Sequence, residues 1–87
     1  MRKQVGHVTI GTTPTLVVGA NERRASLTLR VEGPARVYFG DEAVTTASGM
    51  PWMQDDGPWR DEAPSHDAVY AVVAAGGAGV RYWEITD

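Results

Sequence analysis

Residues 25–32 read Ala25-Ser26-Leu27-Thr28-Leu29-Arg30-Val31-Glu32. Leu27, Leu29 and Val31 fall on one side, Ser26, Thr28 and Arg30 on the other. A period of two sends successive side chains to opposite faces of a pleated strand, which no helix does. The alternation recurs further along. Val37 and Phe39 oppose Arg36 and Tyr38; Val69, Ala71 and Val73 oppose Tyr70 and Val72; Val80, Tyr82 and Glu84 oppose Arg81, Trp83 and Ile85. Residues 5–10 and 15–18 read as two further strands, with Val8 and Ile10 on one face of the first.

Turn chemistry separates these runs. Gly11-Thr12-Thr13-Pro14 combines two residues whose backbone preferences break a strand. Glu32-Gly33-Pro34-Ala35 is a tight connection, and the alternating runs on either side of it predict a hairpin. Residues 74–79 form a small-residue turn before the last strand. No segment places apolar residues at i, i+3, i+4 and i+7 over three turns, so no helix is expected. Six to eight short strands at spacings near ten residues predict an all-β chain, a small antiparallel β-sandwich or partly open barrel. Residues 1–7 read as an N-terminal arm and the start of the first strand, and residues 8–87 as a single sandwich domain.

The middle of the chain is less regular. Val44-Thr45-Thr46-Ala47-Ser48-Gly49 punctuates it, and residues 41–67 contain Pro51, Pro58 and Pro64 with Trp52 and Trp59. Residues 50–53 and 57–61 read as short strands that proline confines to edges or bends. Residues 41–67 hold seven acids against one base, so this stretch carries −6 and the remainder +3 within a net charge of −3. An acidic face meeting a basic partner is one consequence; ordinary solvated surface is the other. Nucleic acid is not expected as a partner, because the sequence pI is near 5.2 and no basic-aromatic stripe runs along the chain.

At 87 residues without cysteine, the chain is one small domain with no disulfide to staple it. That fits folding in a reducing cytoplasm, with association as a source of extra stability. The first ten residues lack the apolar core of a signal peptide, and glycines 76, 77 and 79 cut the longest apolar run, so no membrane span is expected.

Candidate chemistry is sparse. Ser65-His66-Asp67 has the letters of a triad, but adjacent residues cannot converge as one. Asp55, Asp56, Asp61, Glu62 and Asp67 offer oxygens of the kind Ca²⁺ takes, without EF-hand spacing; two histidines and no thiol are a poor zinc set. Gly76-Gly77-Ala78-Gly79 precedes a strand rather than the helix a phosphate loop needs. The reading is therefore of no catalytic residue, no metal and no cofactor. What remains is aromatic: Trp52, Trp59, Tyr82 and Trp83 are candidate interface anchors, core caps or sugar-stacking rings. Tyr82 and Trp83 lie on opposite faces of one strand, so one of them is exposed or covered by a partner.

The order of segments carries a resemblance. Asn21-Glu22-Arg23-Arg24-Ala25-Ser26-Leu27, Val37-Tyr38-Phe39-Gly40, Val44-Thr45-Thr46-Ala47-Ser48-Gly49, Asp67-Ala68-Val69-Tyr70-Ala71-Val72 and Val80-Arg81-Tyr82-Trp83-Glu84 follow one another. This succession, spanning residues 8–84, resembles small virion structural proteins of tailed bacteriophages. Such β-sandwich modules occur as capsid decoration proteins, head-fibre bases and minor tail modules. The segment Pro51-Trp52-Met53-Gln54-Asp55-Asp56-Gly57-Pro58-Trp59 departs from that pattern, in the loop where partner contacts vary.

The resemblance implies a non-enzymatic structural protein, made in the host cytoplasm and carried on the virion. The favoured role is capsid decoration, with the major capsid protein as partner and a homotrimer as the self-assembled form. A tail or baseplate module and a carbohydrate-binding adhesion module are the alternatives. The expected partner contacts are Arg2 and Lys3 in the arm, and Trp52, Met53 and Trp59 in the excursion.

Overall fold

The computed structural model describes residues 2–61 and 66–87. Its strands are β1 (Arg2–Ile10), β2 (Thr15–Val18), β3 (Arg24–Glu32), β4 (Val37–Gly40), β5 (Met50–Trp52), β6 (Trp59–Asp61), β7 (Val69–Val73) and β8 (Ala78–Thr86). A single 3-10 turn, Gln54–Asp56, lies between β5 and β6. Strands β1, β8, β3 and β6 form a first sheet in that order, and β2, β7, β4 and β5 a second. Every pairing is antiparallel. The fold is the small β-sandwich that the alternation predicts.

The predicted hairpin is not formed. β3 and β4 lie in different sheets, and Gly33 (φ 99°) with Pro34 carries the chain from one layer to the other. Alternation fixes which face of a strand is buried, and two strands facing each other across a core satisfy it as well as two strands side by side. Among the described strands, β4 and β5 are the sole consecutive pair that also pair with each other. Residues 2–7, read from sequence as an arm and a strand start, all belong to β1, with Arg2 opposite Thr86 and Gln4 opposite Glu84.

Between the layers lie Ile10, Leu27, Leu29, Val31, Val37, Phe39, Val73 and Val80, all buried. Trp52, Trp59 and Tyr82 pack against this core, each partly buried. Tyr82 leans across β1 at Gly6, where an added Cβ would meet its ring at 2.5 Å. Glycine there is what lets the ring lie flat on the neighbouring strand.

The punctuated segment has a structural task. Gly40 stands opposite Tyr70 and Tyr38 opposite Val72, all on the outer face of the second sheet. Val44 is buried but outside the inter-sheet core. An added Cβ on Gly40 or Gly49 would meet Val44 Cγ2 at 2.8 Å, and one on Gly49 would also meet Tyr38 Cβ at 2.7 Å. Residues 41–49 therefore fold back over the outside of the second sheet, with Val44 as the plug. This covering explains why Val72 is buried although its strand position points it outward. Thr45 and Ser48 knit the turn: Thr45 N–H donates to Ser48 Oγ at 3.0 Å, Ser48 N–H to Thr45 Oγ1 at 3.1 Å, and Gly49 N–H to Thr45 O at 2.8 Å.

One end of the sandwich is closed by charge. Arg24 and Glu84 are both 4% exposed. Arg24 Nε donates to Glu84 Oε2 at 2.7 Å, joining β3 to β8. Its other nitrogens donate to Gly19 O at 2.6 Å, just past β2, and to Asp67 O at 3.0 Å, just before β7. One guanidinium thus ties the first sheet to the segment that leaves the second after β2 and to the one that enters it before β7.

Breaking such a pair from one side leaves a buried charge, at about 3–5 kcal/mol. Glu84→Ala should lose stability on that scale in urea unfolding. Arg24→Met with Glu84→Leu should recover part of it, and not all, because the carbonyls of Gly19 and Asp67 still lose their donor. Gly49→Ala should cost about 1–3 kcal/mol through the clash with Val44 and Tyr38.

Candidate functional site: the outer face of the first sheet

The two outer faces differ. Residues 41–49 cover part of the second sheet's outside, whereas the first sheet's outside has no such cover among the described residues. The register lays out its surface. One row runs Val5, Trp83, Thr28, Arg60 across the four strands β1, β8, β3 and β6. A second row holds Lys3, Ile85 and Ser26, and a third His7, Arg81 and Arg30.

Val5 is 64% exposed and Trp83 48%, and they stand directly opposite each other on neighbouring strands. An exposed apolar pair on a polar sheet face, here spanning the edge strand β1 and its neighbour β8, is what a docking surface presents. Lys3 Nζ sits 5.0 Å from the Trp83 ring centroid, within cation–π range. Between Trp83 and Arg60 runs a shallow groove of about 270 Å³, lined also by Ser26, Thr28 and Ile85. It therefore offers a ring face, two hydroxyls and a guanidinium.

The face is basic on an acidic protein. Among the described residues it carries Lys3, Arg30, Arg60 and Arg81 against one acid, Glu32. Arg81 Nε donates to Glu32 Oε1 at 2.7 Å, and His7 Nε2 lies 3.6 Å from the same oxygen. That acid is engaged within the third row and its neighbourhood, and among the described residues no ion pair neutralises Lys3 or Arg60.

The predicted contact residues do not form one site. Lys3 joins Trp83 on the bare face. Arg2, one residue earlier, alternates to the other side of β1, yet both it and Lys3 border an open hollow with Asn21, Arg23 and Thr86. Met53 lies at the far end of the sandwich, beside Gly33 and Pro34, where its sulfur accepts from Arg36 Nη2 at 3.7 Å. Trp52 and Trp59 turn inward against the core, and Trp52 Nε1 donates to Gly57 O at 2.8 Å. Arg60, Thr28 and Val5 were not singled out from sequence. Their signal was their place on the polar side of alternating strands, but convergence on one row needs the strand order.

The histidines are far apart along β8. His7 stands beside Gly79 at one end; at the other, His66 O accepts the N–H of Asn21, whose side chain bonds Thr86. Among the described residues no three His, Cys, Asp or Glu side chains gather as a metal-binding group, and no helix is long and apolar enough to cross a membrane. Of the five acids whose oxygens the sequence offers, Glu62 lies outside the described residues.

No family model, curated protein or solved structure matches this chain.

If Trp83 is the exposed ring, Trp83→Phe should remove most of the iodide-quenchable tryptophan emission. Trp52→Phe and Trp59→Phe should remove mainly shielded emission. Trp83→Ala should change unfolding stability by about 1 kcal/mol or less, as expected of a surface position. A larger loss would mean that the ring supports the fold rather than a contact.

Proposed function

We propose that this chain is a non-enzymatic docking module, and that its setting is the one its sequence resembles, the particle of a tailed bacteriophage. The favoured role is decoration of the capsid, with the major capsid protein as partner. The observation that supports docking is the uncovered row of Val5 and Trp83, flanked by Lys3 and Arg60, on a sheet whose opposite counterpart is partly capped. Exposed aromatic and arginine side chains are the residue types that dominate interface energies. A lattice that repeats the site many times turns modest single contacts into firm occupancy.

The partner residues in this proposal shift from the sequence expectation. Lys3 stays and Trp83 with Arg60 joins it; Trp52 and Trp59 serve first as caps of the core. Residues 2–4 are strand rather than loose arm, so deleting them strips three pairs from β8 instead of trimming a tail.

A carbohydrate-binding role is the second reading, favoured by the Ser26 and Thr28 hydroxyls and Arg60 beside an open ring. It moves the stacking ring from Trp52 or Trp59 to Trp83.

Purified protein added to particles lacking it should co-sediment with them, and Trp83→Ala with Arg60→Glu should lower occupancy about tenfold or more. Absence of the polypeptide from mature particles removes the virion role. Binding to glycan surfaces that disappears with Trp83→Ala, without particle binding, selects the second reading.

A further inference from the structure

The same bare face has a complement on the molecule's own back. On the outer face of the second sheet, Leu16 is 46% exposed and stands in one row with Tyr70 and Gly40. Immediately beyond Gly40 come Asp41 and Glu42, both exposed. The front thus presents apolar Val5 and Trp83 with the bases Lys3 and Arg60, and the back presents apolar Leu16 in a row with Tyr70 and Gly40 that leads to the acids Asp41 and Glu42. The strand order places these two surfaces on opposite sides of the sandwich.

We propose that a second copy of this chain docks front to back, its acidic, Leu16-bearing face on the basic Trp83 face of the first. Charge complementarity selects this arrangement over front to front, which would set Lys3 and Arg60 against their own copies. The contact is heterologous: each copy uses one surface and leaves the other free. Such contacts close into rings or continue as stacks, depending on the rotation between copies. The first copy of a stack still offers its front to another acidic surface, so the arrangement is compatible with attachment to a larger shell. It depends on no property of that shell.

The test uses the full chain alone. Sedimentation at about 50 mM salt should reveal species larger than the 9.4 kDa monomer, dissociating as salt rises toward about 500 mM, where screening shortens to a few ångströms. Two variants then separate the surfaces. Trp83→Ala with Arg60→Glu blocks the front, and Leu16→Lys with Glu42→Lys blocks the back; circular dichroism and urea unfolding check that both fold. Each alone should self-associate at least about tenfold more weakly than the parent. Mixed, they should form a one-to-one pair and stop there, because each retains the surface the other lacks. A parent that stays monomeric at all concentrations and salts overturns the proposal. So does a mixture of folded variants that forms no pair, or a back-blocked variant that associates as well as the parent, the sign of a front-to-front dimer.

Discussion

The buried ion pair of Arg24 and Glu84 is the interaction that one end of this sandwich depends on. Two sheets held by apolar contact are free to slide, because hydrophobic burial has little direction. A guanidinium is directional. Arg24 reaches Glu84 in its own sheet and two carbonyls, Gly19 and Asp67, where the chain leaves and re-enters the other. Near it, Asn21 adds bonds to Thr86 and to His66 O, and Asp87 N–H donates to Arg23 O. The polar closure holds the end of β2 and the start of β7 against β3 and β8.

On that frame the two outer faces differ. The segment after β4 doubles back, plugs the second sheet with Val44 and is locked by Thr45 and Ser48. The glycines at 40 and 49 are there because the plug approaches too closely for a side chain. Nothing comparable covers the first sheet among the described residues, so Trp83 stays in solvent with Lys3 beside it. A small protein that covers one apolar face and leaves the other bare has made one of its surfaces available for contact.

Much of the fold was legible in the alternation. Leu27, Leu29 and Val31 were placed together on one side of their strand and are all buried, and Trp83 was set opposite Tyr82, which packs on the core. Glu84 carried an unread signal, since it alternates in phase with Val80 and Tyr82 and so had to be inside. A buried carboxylate needs a partner, and Arg24 was the base at the start of the strand that lies beside it. The candidate site was less legible. Trp52 and Trp59, beside prolines in an acidic stretch, looked like surface anchors, yet their strands sit at sheet edges where an inward ring caps the core.

The sequence by itself determined the class of structure and the buried side of each main strand, because a two-residue period is written in neighbouring side chains. It did not determine which strands pair, since strands facing across a core and strands lying side by side show the same alternation. The order β1-β8-β3-β6 alone brings Val5, Trp83, Thr28 and Arg60, scattered over residues 5 to 83, into one row. A local pattern reaches only as far as the pleat; the surface is made by strands distant in the chain, so the tertiary structure decided it.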